Sequence, residues 1–294
     1  MENSTITRRK LHEINLPHAE LNALPKIELP SPEITDINLF DNSLSTIPEE
    51  IYKMNNLKVL NISANKLKEI SPNIKNLKEL TMMDLGHNQI ETIPTEIGNL
   101  TNLEGYLYLH NNKFETLPTE IKNLKKLKYL NLSDNNFSEL PSEIGKLTNL
   151  VELRIMNNKL QSIPESFSML TNIRELHMRN NQLSTLPEIF ESLMLLRVLD
   201  MEENQLKQVP KSLEYCKKLR RLNLRHNQLT TLPDEIGKLE KLLELDLRSN
   251  QLIKLPESLM DIKGLERLDL RWNHDLEIPK WLGKLEENGC IVYL

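Results

Sequence analysis

Only two of the 294 residues are cysteine, Cys216 and Cys290, and they lie far apart and outside any Cys-x-x-Cys pair. That excludes a disulfide-stapled scaffold and makes the cytoplasm the expected location. Aromatic residues are 4% of the chain against 39% hydrophobic residues overall, so an aliphatic core is expected. Neither sign of charge dominates: 37 Lys and Arg face 42 Asp and Glu, a formal net charge of −5. A general nucleic-acid or polyanion binder needs a basic footprint, so no nucleic-acid partner is expected. No run approaches the roughly 18 apolar residues of a membrane span. The opening "MENSTITRRKLHEINL" has basic residues but no apolar stretch behind them, so a secretory signal is not expected. Glycosylation matches at Asn3, Asn61, Asn99, Asn131 and Asn136 would matter only on a secretory route.

Signatures of chemistry are missing as well. There is no P-loop, no Gly-x-Gly-x-x-Gly and no His-Glu-x-x-His. Six of the seven histidines (His18, His87, His110, His177, His226, His274) fall on or beside one face of the repeats described below. Zinc needs three or four converging ligands, and only His87 and His110 fall in adjacent repeats. No metal, cofactor or catalytic residue is expected, and the chain is read as a non-enzyme.

What is present is repetition. Asn42, Asn65, Asn88, Asn112, Asn135, Asn158, Asn181, Asn204, Asn227, Asn250 and Asn273 are spaced by 23 residues, except for one interval of 24 before Asn112. Twenty-three residues before Asn42 lies Ala19, inside a decayed first copy, "INLPHAELNALP", which makes twelve repeats. A full copy reads "LRRLNLRHNQLTTLPDEIGKL". Its Leu-x-Leu alternation is a short strand with one buried face. The asparagine amide both donates and accepts, so it can satisfy backbone groups inside an apolar stack. Proline follows the asparagine by six residues in ten of the eleven repeats, Ser71 being the exception, and opens a return limb with inward Ile and Leu. Gly98, Gly145, Gly237 and Gly283 share one place in that limb, and Cys216 replaces an inward leucine there. One repeat cannot close a core, but a stack can.

These motifs resemble the leucine-rich repeats, and the "LPxxIxxL" limb resembles the intracellular Ras-group type of eukaryotes and its bacterial counterparts. The resemblance implies an α/β fold: a horseshoe solenoid with a parallel sheet on the concave face and short helical or 3₁₀ limbs on the convex face. It also implies protein binding as the usual activity. The organisation expected is a tail over 1–10 and a single leucine-rich repeat domain over 11–294. A closing strand near 290–294 is expected to place Ile291 and Tyr293 inward, with Cys290 more exposed than Cys216.

Residues six, four, two and one before each asparagine should face outward and stack into columns about 4.8 Å apart. With nothing in the repeat pattern dictating their identity, these columns are the expected binding surface. One zone is aromatic: Tyr106 and Tyr129 share a column, with Tyr108, His87 and His110 near and Phe40 two repeats earlier than His87. Such amphipathic rings serve as interface anchors. A second zone is an arginine column, Arg179, Arg225, Arg248 and Arg271, with Arg154 alongside and Trp272 flanking. Against it stand Glu175, Asp200, Glu202, Glu203, Glu244, Asp246 and Asp269, so the column is read first as a self-neutralising lattice and second as a row of forks for an acidic partner. Asp246 and Asp269 form a carboxylate pair, but on an open curve that does not exclude water. The extra residue of the 24-residue interval falls at Glu104-Gly105, where a bulge would carry Tyr106 forward.

The expected function is therefore an adaptor, scaffold or regulatory subunit that binds another protein on the concave face. The alternatives are an exported bacterial effector or surface factor that binds host proteins or glycans, or the recognition subunit of an enzyme complex. A monomer is expected, or a homodimer joined edge to edge through residues 290–294.

Overall fold

The computed structural model describes residues 12–25 and 33–294, and the expected tail over 1–10 lies outside them. Thirteen parallel strands, from β1 (Glu13–Asn15) to β13 (Ile291–Tyr293), form one sheet in which each strand pairs only with its sequence neighbours. Every strand is three residues long, and in β10 (Arg221–Asn223) only the central Leu222 is buried. Neighbouring strands pair one repeat out of step, as in Arg221↔Glu244, Leu222↔Leu245 and Asn223↔Asp246. That register produces the outward columns.

Between β2 (Asp36–Asn38) and β12 (Arg267–Asp269) the return limbs are single 3₁₀ turns. Proline is suited to their start because its ring fixes φ and it has no N–H to leave unpaired. Pro118, at φ −68° and ψ 148°, leads into the turn Thr119–Asn123, whose Ile121 is fully buried. Ser71 does the same work differently: its hydroxyl accepts from the Asn73 N–H at 3.2 Å, and Pro72 takes the first position of the turn. The limb glycines let neighbouring limbs approach. A Cβ on Gly145 or Gly237 would overlap the carbonyl oxygen of Ser166 or Ser258. Gly283 differs, having no neighbour within 4 Å and lying at the start of helix α1 (Gly283–Glu287).

The asparagines bind the repeats together from inside. Asn181 Nδ2 donates to Ile155 O of the preceding repeat at 2.8 Å and to Met178 O of its own at 3.0 Å, while its Oδ1 accepts from Leu160 N at 3.0 Å. The residue before each of the eleven asparagines is left-handed, from Asp41 (φ 53°) to Trp272 (φ 62°), and so is His18 (φ 54°) before Ala19 in the first copy. This turns the amide inward and lets the preceding residue's own N–H bond the next repeat, as Asn157 N does to Arg179 O at 2.9 Å. The core is aliphatic in bulk, but four of the five phenylalanines, Phe114, Phe137, Phe167 and Phe190, are also fully buried. Phe114 and Phe137 stack with centroids 6.5 Å apart.

The closing strand departs from expectation. Val292, not Ile291 or Tyr293, pairs with the buried Leu268, so Val292 points inward and its two neighbours face out. Ile291 is 58% exposed, and Cys290 is buried. The cause is one extra residue: α1 is longer than the usual limb, and the chain reverses through Gly289 at φ +93°. No helix among the described residues is long and apolar enough to cross a membrane.

Candidate functional site

The 24-residue interval is a bulge at the place expected. At the other strands before β13, two successive N–H groups share one carbonyl of the preceding repeat, as Val151 and Glu152 share Lys128 O. After the insertion, Lys128 N and Tyr129 N instead bond two successive carbonyls, Glu104 O and Gly105 O, both at 3.1 Å. Pairing between β4 (Met82–Asp84) and β5 (Tyr106–Tyr108) accordingly begins one residue late, at Met83↔Leu107. Gly105 is needed for space, not for a left-handed backbone: a Cβ there would press on Met82 Cγ at 2.6 Å.

Above the bulge the concave face holds an open hollow of about 530 Å³. Tyr106 and Tyr108 stack with centroids 4.5 Å apart and an interplanar angle of 22°. Tyr129 of β6 (Tyr129–Asn131) pairs in register with Tyr106, and Glu152 and Arg154 of β7 (Glu152–Arg154) complete the far wall. On the near side stand Asp84 and His110. His110 meets Tyr108 edge-on at 6.0 Å and His87 at 4.8 Å, and its ring fits because Gly86 has no Cβ. Burial holds the His110 imidazole below its ordinary pKa, and burial likewise raises the Asp84 carboxyl. Burial and then the charge of Asp84 raise the Tyr106 hydroxyl. Phe40, expected in this zone, instead meets His18 edge-on at 5.2 Å.

The columns are less free than the sequence suggests. Four residues before the ladder asparagine, an Asn or Asp oxygen accepts the N–H two residues on, closing an Asx turn. Asn38, Asn61, Asp84, Asn131, Asp200, Asn223 and Asp246 all do so, at 2.9–3.2 Å. The fold therefore chooses Asn or Asp there. Tyr108 and Arg154 break the pattern on β5 and β7 at the hollow, and His177 breaks it on β8 (Glu175–His177), where it lines a second concave hollow. Sequence reasoning missed both this turn and the left-handed position. The second had a signal, since Asp41, Asn111, Asp134, Asn157 and Asn180, of types that tolerate positive φ, occupy it.

Each arginine of the concave column lies within ion-pair distance of a carboxylate. Arg248 forks onto Asp246 and reaches Asp269 at 3.5 Å. Arg271 holds Asp269 at 2.7 and 2.9 Å, and Arg267 adds a contact at 3.3 Å. Glu202 lies between Arg179 (4.0 Å) and Arg225 (3.5 Å), and Arg154 bonds Glu152. The Asp269 side chain is fully covered. Burial alone would raise its pKa, but the hydrogen bonds of Arg271 and Arg267 and the charge of Arg248 outweigh burial and hold it low. The carboxylate pair Asp246 and Asp269 is thus filled by guanidinium groups. Arg271 also lies over Trp272 and Tyr293, at 5.5 and 5.0 Å from the ring centroids. Glu152, Glu175 and His177 bring three donor atoms within 4.8 Å of one another, a juxtaposition the histidine spacing did not suggest. Arg154 and the His177–Glu175 contact at 3.2 Å already occupy these groups.

The chain matches the family described as leucine-rich repeat region over residues 105–194 and 181–287, and a leucine rich repeat family over 32–90. It belongs to the leucine-rich repeat family. No curated protein matches it. A leucine-rich repeat protein of Leptospira interrogans shares its structure at a TM-score of 0.68 and 27% identity, over 96% of this chain and 95% of that one. The plant peptide hormone receptor RGFR1, solved in complex with RGF2, aligns at a TM-score of 0.79 and 32% identity over 90% of this chain. A TDR receptor aligns at 0.80 and 29%, also over 90%. This leucine-rich repeat chain spans 44% and 47% of those two receptors.

Proposed function

We propose that this leucine-rich repeat protein is a non-enzymatic interaction module, an adaptor, scaffold or regulatory subunit, that binds a protein or peptide partner on its concave face around the hollow of Tyr106, Tyr108 and Tyr129. The observation that carries the proposal is the clustering of departures. Where the fold favours an Asx turn, the chain places Tyr108 on β5 and Arg154 on β7, both lining the hollow above the bulge, and His177 pairs with Arg154 on β8. Large side chains that give up a stabilising turn and gather at one place fit a binding role better than a packing one. RGFR1, the receptor solved with RGF2, supports a protein or peptide as the kind of ligand. The arginine lattice is the secondary surface, since its charges are already matched. The "LPxxIxxL" limbs and two free buried thiols support the Ras-group type and a cytoplasmic setting.

The test is affinity capture from the source organism's lysate with wild type and with Tyr106→Ala/Tyr108→Ala, followed by reconstitution with the purified partner. A protein bound by wild type and lost in a variant that melts like wild type supports the proposal. Equal capture by both sinks it.

A further inference from the structure

Asp84 carries a charge that the fold does not require. Its Asx turn, a bond from Gly86 N at 2.9 Å, needs only a carbonyl oxygen, and Asn38, Asn61, Asn131 and Asn223 supply the same bond with a neutral amide. Yet position 84 holds a carboxylate, half-buried, whose ionisation burial disfavours. Among the described residues no Lys or Arg forms an ion pair with it. Its basic neighbours are His87 and His110, and burial keeps His110 low. Glu152 across the hollow, by contrast, is bonded by Arg154. The hollow is left with one unmatched negative charge.

The surroundings of that charge are aromatic. Tyr106 and Tyr108 form a stacked pair lining the hollow, and Tyr129 stands beside Tyr106 on the next strand. Tyrosine faces attract cations through their quadrupole, and a planar guanidinium both stacks on such rings and forks onto a carboxylate. The second concave hollow offers a contrast: Asp200 also closes an Asx turn there, but its wall contains Arg221 and His177 and no tyrosine.

We infer that the tyrosine hollow receives a cationic side chain of the partner, an arginine, with its guanidinium against the Tyr106, Tyr108 and Tyr129 rings and on the Asp84 carboxylate. This rests on the concave-face proposal above and names the chemistry of the partner's anchor.

The experiment is a titration of ¹³C-tyrosine-labelled protein with methylguanidinium chloride, followed by NMR, with methylammonium chloride and sodium chloride at matched ionic strength alongside. Asp84→Asn keeps the Asx turn and is expected to melt like wild type, so a loss of binding in it reports charge alone. Saturable shifts of Tyr106, Tyr108 and Tyr129 with methylguanidinium, weakened roughly tenfold by Asp84→Asn and unchanged by Asp200→Asn, support the inference. Shifts that sodium chloride reproduces, or equal affinity in Asp84→Asn, overturn it. Tighter binding of methylammonium overturns the assignment to arginine. If a partner is captured through Tyr106 and Tyr108 but methylguanidinium does not bind, this inference falls while the concave-face proposal stands. A guanidinium site with equal capture by both baits does the reverse.

Discussion

Replacing Asn181 by leucine tests the asparagine ladder directly. The substitution removes the one acceptor of the Leu160 N–H among the described residues and the amide that serves the Ile155 carbonyl, whereas the Met178 carbonyl keeps Asn204 Nδ2 at 3.0 Å. Leu160 and Ile155 are both fully buried, so water cannot replace the lost partners. Each orphaned group costs about 1–3 kcal/mol, and the greater apolar burial of leucine offsets about 1 kcal/mol, leaving a net loss of about 3 kcal/mol. For a chain of this size that lowers Tm by roughly 5 °C. Because a solenoid's stability is a sum over neighbouring repeats, the damage should be local. Urea denaturation should therefore be read together with amide hydrogen exchange, where the Leu160 amide should lose protection ahead of amides several repeats away. Gln182→Leu, an exposed position one residue on, controls for the added leucine and should move stability by less than about 0.5 kcal/mol. An Asn181→Leu protein that melts within a degree or two of wild type, with Leu160 still protected, would refute the ladder as a source of stability.

The limb glycines should separate in the same assay. Gly145→Ala, which sets a Cβ against the Ser166 carbonyl, should cost about 2 kcal/mol or more, whereas Gly283→Ala, helical and unobstructed, should be neutral or stabilising by up to about 1 kcal/mol. The depressed pKa of Asp269 stabilises the fold above its ordinary value of 3.8, and that contribution disappears as pH falls through the lower folded value. Acid titration of stability should accordingly steepen below about pH 4 in wild type. It should flatten in Asp269→Asn, which at neutral pH leaves three arginines short of a partner and should cost about 3 kcal/mol. Cys216, its thiol pushed up to about 12 by burial, and the buried Cys290 should both resist alkylation until denaturant is added; labelling of either in native buffer would contradict their placement.

Much of the fold was legible because a 23-residue period leaves little freedom. Once each Leu-x-Leu is a strand and each asparagine an interior amide, the parallel order and the columns follow. The bulge at Glu104-Gly105 was legible for the same reason: an insertion into a strict period can only be absorbed where the buried residues on either side keep their register. The closing strand was not legible, because beyond Asn273 no further asparagine marks the count. "GCIVYL" reads equally well in two registers that differ by one residue, and a one-residue slip exchanges the two faces of a strand. The Asx turns were missed because Asn and Asp at an outward position read as ordinary polar surface. Only the hydrogen bond from the N–H two residues on shows that the fold selects them. The pairing of every concave arginine likewise depended on rotamers that composition could count but not orient.

The two places where the chain takes 24 residues instead of 23 explain how the concave face is divided. At β5 the extra residue is consumed before the strand, so Met83 still meets Leu107 and the register inward of the sheet is unbroken. What changes is the edge of the column: Met82, paired with Val59, has no partner on β5, Tyr106 pairs only with Tyr129, and the stacked tyrosines lie near an acid with no Lys or Arg of its own among the described residues. At β13 the extra residue is consumed in α1 and the turn at Gly289, so Leu268 meets Val292 and Tyr293 joins the outward column under Arg267 and Arg271. There the aromatic ring meets cations already present, and the lattice ends satisfied. The same device, one residue inserted ahead of a strand, thus yields a finished surface at the C-terminal end and an unfinished one at β5. An unfinished arrangement of rings and charge on a rigid sheet costs stability in the free protein, and a partner that supplies the missing cation recovers that cost on binding.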